Sequence, residues 1–259
     1  MKFGYIGSEF YGYQRQPGVR TVEGDLINAC MKVGAFSDIK EAVFQSASRT
    51  DRGVHALGNV VAFNTDFPPE ELISALNALN DSVLVHSYLS VPASFNPRKA
   101  VMRHYRYLLF EPLDMLMLSN TLQYFTGTKD FSPFAKGKGP HSIRSIESID
   151  VRNRDGVITV DIKGRSFLHN MVRRIIAASV SVAKGERDAE ELELALKGKK
   201  VRSFGLAPPD FLILVDVHYG MNFKRVPLDE KCLEKWRNFC WRISALSIVG
   251  KELLSAGSA

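Results

Sequence analysis

Apolar and polar positions alternate with a period of two in five short runs before residue 111, at about 2–6, 42–47, 59–64, 83–91 and 105–110, each rich in Val, Ile, Phe or Tyr. Alternation of this kind marks strands with one face buried. Between the first two runs the period changes to 3.6: Val22, Leu26, Ala29, Cys30 and Val33 fall on one helical face, Thr21 stands at the N-cap position, and Glu23 and Asp25 occupy the electropositive first turn. A second helix is opened by Pro68 and Pro69, carries Glu70 and Glu71 at its start, and runs to Leu79. The first half therefore spells β-α-β-β-α-β. The pattern returns from residue 143, with strands at 143–151 and 157–163, a helix at 166–183, a shorter helix at 189–196 and a strand at 212–219. Two copies of a split β-α-β unit predict an α+β protein whose antiparallel sheets carry helices on one face and leave the other free.

The boundaries that follow are residues 1–92 for the first half, 93–220 for the second, and 221–259 for a helical extension. In the extension Leu233, Trp236, Phe239, Cys240 and Ile243 make an apolar stripe. The piece could extend a cationic surface or cover a sheet edge; the tryptophan favours covering, because a large ring needs a core to bury against.

Composition narrows the class. With 259 residues, 45% hydrophobic and 24% charged, the chain can bury one large core or two small ones, which excludes a disordered tail or a disulfide miniprotein. The longest stretch without an acidic or basic residue, 82–97, contains His86, Pro92 and Pro97, so it predicts no membrane-spanning helix. The N-terminus lacks a basic segment followed by an apolar one, and the three cysteines are odd in number and scattered; a cytoplasmic protein with reduced thiols is expected. Net charge is +6. Its distribution is more informative, since three windows contain cations and no acid: Arg98, Lys99, Arg103 and Arg106 interleaved with His104, Tyr105 and Tyr107; then Lys136, Lys138 and Arg144; then Lys163, Arg165, Arg173, Arg174 and Lys184. Such fields repel themselves unless an anion lies against them, and a phosphate backbone is a common one; a plain lysine-rich surface is the alternative.

No two histidines lie within four residues of each other, no cysteine pair has metal-ligand spacing, and no Gly-rich phosphate loop or dinucleotide fingerprint occurs. Neither a metal nor a cofactor is expected. The chemistry concentrates instead in residues 48–56, Ser-Arg-Thr-Asp-Arg-Gly-Val-His-Ala, between two predicted strands. Asp and Gly are turn formers, so a turn alone would account for part of it. However, Arg49 and Arg52 flank Asp51, opposite charges favour an ionised carboxylate, and an ionised, positioned carboxylate can act as a nucleophile.

This segment resembles the R-T-D-x-G-V-H-A signature of TruA-type tRNA pseudouridine synthases. Further blocks resemble the same family in the same order: Tyr5-Ile6-Gly7, Phe10-Tyr11-Gly12-Tyr13-Gln14, Thr21-Val22-Glu23-Gly24, Ala75-Leu76-Asn77, Ser94-Phe95-Asn96-Pro97-Arg98, Tyr105-Arg106-Tyr107, Asp130-Phe131 with Phe134, Phe167-Leu168-His169-Asn170-Met171-Val172-Arg173, and Val215-Asp216-Val217-His218-Tyr219. The resemblance covers residues 3 to 219. It implies two ferredoxin- or RRM-like halves whose sheets join into one, a basic cleft, tRNA as partner, a homodimer, and isomerisation of uridine to pseudouridine in the anticodon stem-loop without a cofactor. It further implies Asp51 as the catalytic carboxylate, Tyr105 as the ring stacked on the target base, and Arg173 as the partner of Asp51. Arg49, Arg52, His55, Arg98, Arg106, Lys136, Lys138 and Arg174 are the candidate RNA contacts. Arg52 replaces an alanine common in bacterial members, as in archaeal and eukaryotic ones. Asp210-Phe211-Leu212 stands where Gly-Leu is usual, and the segment after Gly220 has no counterpart in the bacterial core. A noncatalytic RNA-binding module on the same fold is the alternative, as is a dimeric scaffold without RNA.

Overall fold

The computed structural model describes residues 1–136 and 142–256. The first half comprises β1 (Lys2–Tyr5), α1 (Val22–Lys32), β2 (Gln45–Ser46), β3 (His55–Ala62), α2 (Pro69–Leu79) and β4 (Val83–Tyr88). The second comprises β5 (Met102–Leu109), α3 (Met115–Gln123), β6 (Gly127–Asp130), β7 (Ile143–Arg154), β8 (Val157–Gly164), α4 (Met171–Ala183), α5 (Ala189–Leu196) and β9 (Leu212–His218). A short β10 (Lys224–Arg225) and a long α6 (Glu230–Ala256) follow. Local chemistry sets the ends as expected: Thr21 Oγ1 accepts from the Gly24 N–H to cap α1, and Pro69 opens α2.

All ten strands join one sheet in the order β10-β4-β1-β3-β9-β5-β8-β7-β6, with β2 paired to β3. Within each half the pairing is antiparallel; the halves meet at β3 and β9, which run parallel with His55 opposite Ile213 and Ala56 opposite Leu214. This register puts Ala56, Leu214, Tyr105 and Ile162 in line on one face across the seam. Phe3, Tyr5, Val83 and Val85 of the first half and Tyr107, Val160 and Ile162 of the second all point to that face and share one continuous core with Leu26, Leu72 and Leu76 of the first-half helices and Ile175 and Ile176 of α4. Helices thus cover one face, while His104, Arg106 and Asp161 lie on the other, as period-two alternation demands.

Several elements depart from the sequence expectation. α3 and β6 fall in a stretch where none was expected. α3 supplies the helix that the repeat requires after β5, and it is tethered by Asp114, whose side chain accepts from the Met117 N–H. β2 has only two residues, and β3 begins at His55 rather than near residue 59, because its first residues are recruited by β9 from the other half. α4 begins at Met171 rather than 166: Asn170 adopts a left-handed backbone, φ 64°, so the chain cannot enter the helix earlier. The extension does not cover a sheet edge with its helix. β10 does so, by pairing with β4, and α6 is attached through its first turns, where Lys235 donates to the carbonyls of Asn77 and Asn80 at the end of α2. Of the expected stripe, Trp236 and Phe239 are half-buried while Leu233, Cys240 and Ile243 are exposed; beyond them Trp241 is 63% exposed and Leu253 68%.

Candidate active site

Residues 47–54 form a loop held from below by buried hydroxyls and amides. The Tyr5 and Thr50 hydroxyls share a hydrogen bond of 2.8 Å, Asn59 Nδ2 donates to the Ser48 carbonyl, and the Tyr13 N–H donates to the Thr50 carbonyl. The loop turns at Gly53, which has φ +87° and lies against Pro209 and Asp210; a Cβ there would stand 2.9 Å from Pro209 Cγ. His55 closes the turn. Its Nδ1 accepts from the Gly7 N–H at 3.1 Å and its Nε2 lies 3.0 Å from the Asp210 carbonyl, while burial keeps its pKa below the ordinary histidine value. A neutral ring with the proton on Nε2 satisfies both contacts.

Arg103 ties this loop to the second half. The side chain is buried and donates from Nε to Ser48 Oγ, from Nη2 to the Ala47 and Arg98 carbonyls, and from Nη1 to the Arg165 carbonyl. Four acceptors from three chain segments converge on one guanidinium, whose planar fork suits such bridging. Tyr105, two residues on and on the same face, meets Phe167 edge to face at 5.1 Å. Burial pushes its phenol up to about 12, with Arg103 opposing and Asp51 adding to the shift. Its hydroxyl therefore stays protonated at neutral pH.

Asp51 stands at the loop's apex. One carboxylate oxygen, Oδ2, accepts from Arg173 Nη1 at 3.0 Å, and the other, Oδ1, lies 3.2 Å from His169 Nε2. Arg173 is fixed in turn, donating from Nε to the Ala207 carbonyl at 2.7 Å and from Nη1 to Asn170 Oδ1. Its side chain is only 11% exposed, so the guanidinium is a buried charge paired with the carboxylate and a carbonyl, the arrangement such a charge needs. The left-handed turn at Asn170 presents His169 toward Asp51 while Arg173 approaches from the first turn of α4.

These groups face a cleft of about 1000 Å³ on the helix-bearing side, across the seam between the halves. Of the residues singled out in the sequence, Arg49, Asp51, Arg52, Arg98, Tyr105, Lys136 and Arg173 line it. Arg52 stacks on the exposed ring of Tyr11, 4.3 Å from its centroid. Arg106 lies on the opposite face of the sheet, where it and His104 pair with the buried Asp161. His55 spends both ring nitrogens on backbone contacts, and Arg174 does not line the cleft. Lys138 lies outside the described residues.

Sequence reasoning passed over two members of this site. Arg103 could have been found by extending the alternation that places Tyr105 and Tyr107 together, since the residue two before shares their face. His169 carried only its place in the Phe167–Arg173 block, because the expected helix obscured the turn that aims it. Among the described residues no group of three or more His, Cys, Asp or Glu is arranged to hold a metal ion, and no helix is long and apolar enough to cross a membrane.

A family model described as tRNA pseudouridine synthase matches residues 121–220. The tRNA pseudouridine synthase A of Thermococcus sibiricus is 43% identical over 239 residues, covering 91% of this chain and 89% of that protein. That of Pyrococcus abyssi is 39% identical over 98% of this chain and 95% of its own length, and that of Methanothermobacter thermautotrophicus 38% identical over 86% and 82%. With identity at this level along nearly the whole of both chains, the protein belongs to the tRNA pseudouridine synthase family.

Proposed function

We propose that the protein isomerises uridine to pseudouridine in the anticodon stem-loop of tRNA, with Asp51 as the catalytic carboxylate. The observation that carries this is a single carboxylate at the apex of a rigid loop, with a guanidinium and an imidazole on its two oxygens, inside a cation-lined cleft that also holds a buried tyrosine. The reaction detaches uracil from C1′, turns it and rejoins it through C5, so no electrons are exchanged with a cofactor. A paired stem hides that base, so the target nucleotide must leave its stack to reach the carboxylate. Asp51 acts first, by adding to the sugar or base or by removing a sugar proton. Arg173 pairs with it and orients it. Tyr105 presents its ring, with the hydroxyl protonated, to the extruded base, and Phe167 braces it edge to face. Arg49, Arg52, Arg98 and Lys136 line the approach and supply contacts for the phosphate backbone, which fixes register without reading sequence. The enzyme acts in the cytoplasm as a homodimer, in keeping with its free cysteines and its family.

The test is incubation of purified protein with an unmodified tRNA transcript and mapping of pseudouridine by carbodiimide-dependent reverse-transcription stops. Stops in the anticodon stem-loop are expected with the native chain and none with Asp51→Asn, whose tRNA affinity should be retained. Undiminished product from Asp51→Asn would remove Asp51 from the chemistry. Salt-sensitive tRNA binding without product from the native chain would favour the binding-module alternative.

A further inference from the structure

The carboxylate of Asp51 is held at two points, and the two holds differ in kind. On Oδ2 sits Arg173, nearly buried and locked by Ala207 and Asn170. On Oδ1 sits His169, whose side chain is 53% exposed at the mouth of the cleft. Arg173 reaches the carboxylate through Nη1 alone. One such contact pins one oxygen, but the Cβ–Cγ torsion of an aspartate is a broad, nearly two-fold rotor, so it leaves the plane of the group free to turn. A second contact on the other oxygen removes that freedom. Deeper in the cleft, Arg103 directs four of its five N–H groups to Ser48 and three carbonyls rather than to Asp51.

We infer that His169 is a positioning residue for the reaction: its imidazole, with Nε2 3.2 Å from Oδ1, braces that oxygen and thereby sets the plane of the Asp51 carboxylate against the incoming ribose and base. This rests on the assignment of Asp51 proposed above. The backbone is arranged for the task, because the left-handed Asn170 ends the loop immediately after His169, and the His169 carbonyl accepts from the Lys136 N–H at 2.9 Å, fixing the residue from which the imidazole extends. Neither restraint involves the ring, so the side chain can be changed without unfolding the loop.

The experiment compares single-turnover pseudouridine formation at saturating tRNA, together with tRNA affinity and melting temperature, for the native chain, His169→Ala, His169→Gln and Asp51→Asn. Misorientation of a reacting group typically costs on the order of ten- to a hundredfold in rate. The expected result is a loss of about that size in His169→Ala, with affinity and melting temperature unchanged, and recovery of much of the rate in His169→Gln, whose amide N–H has a similar reach. The inference is overturned if His169→Ala keeps the native rate, if its defect lies in affinity, which would make His169 an RNA contact, or if His169→Gln is as slow as His169→Ala. The Asp51→Asn arm separates the two levels: full activity there would overturn the assignment of Asp51 itself, whereas inactivity there with an unaffected His169→Ala would overturn only the role of His169.

Discussion

The half-buried histidines on the seam and at the sheet's outer face make stability depend on pH. Burial lowers the pKa of both His55 and His86 in the folded protein from the ordinary value of 6.5. Between the lowered values and 6.5 the unfolded chain binds more protons, so this contribution is complete above pH 6.5 and shrinks as the pH falls below it. Thermal melts should therefore show a falling midpoint from about pH 7.5 to about pH 5.5, with a shallower slope in His55→Gln. An unchanged slope in that variant would mean that His55 is protonated equally in both states. Asp161 adds to the trend only in stronger acid. Burial pushes its pKa up, the hydrogen bonds from Arg106 and His104 more than offset this, and the net lowering is lost as pH falls through the carboxylate range.

At the level of elements, the seam and the loop that carries Asp51 are fixed together. Gly53 has a backbone that L side chains rarely adopt and no room for a methyl group against Pro209, so Gly53→Ala must move either the loop or the segment before β9. A destabilisation of about 1–3 kcal/mol is expected, with a loss of isomerase rate beyond what the unfolded fraction explains, measured by denaturant titration beside single-turnover assay. Native activity in Gly53→Ala would show that the turn tolerates displacement. The same elements show why some structure was legible in the chain and some was not. Alternation and caps are local signals, and they gave β1, α1, α2, β4 and the general course of β7 to β9. α3 was missed because its first turn, Met-Leu-Met-Leu, is apolar on all sides and gives no clear period. The early start of β3 depends on a partner strand more than 150 residues away in sequence, which no local pattern records. Asp51 and Arg173 could be named from motif resemblance, yet the contact of Asp51 with His169 depended on a backbone reversal at Asn170 that asparagine permits but does not announce.

In the whole molecule, α6 is the element least integrated with the rest. Lys235 and the buried Cys232 attach its beginning, whereas the apolar side chains from Trp241 onward project from the body. Removing residues 241–256 should therefore change unfolding free energy by no more than about 0.5 kcal/mol, as for exposed positions in general, and leave the isomerase rate intact. A larger loss in equilibrium denaturation would mean that this helix is covered in solution, and sedimentation of the full and shortened chains would show whether a second copy covers it.

The parallel join of β3 to β9 has a further consequence for how the chain can be divided. Asp51 is carried by one half, while Tyr105, His169 and Arg173 are carried by the other, and the exposed residues 92–94 are the crossing between them. A protease cut at that crossing would sever none of the residues proposed to carry the reaction, yet each fragment alone would hold an incomplete set. Activity would become a report on reassembly of the two pieces, and neither half could be inherited separately as a working enzyme.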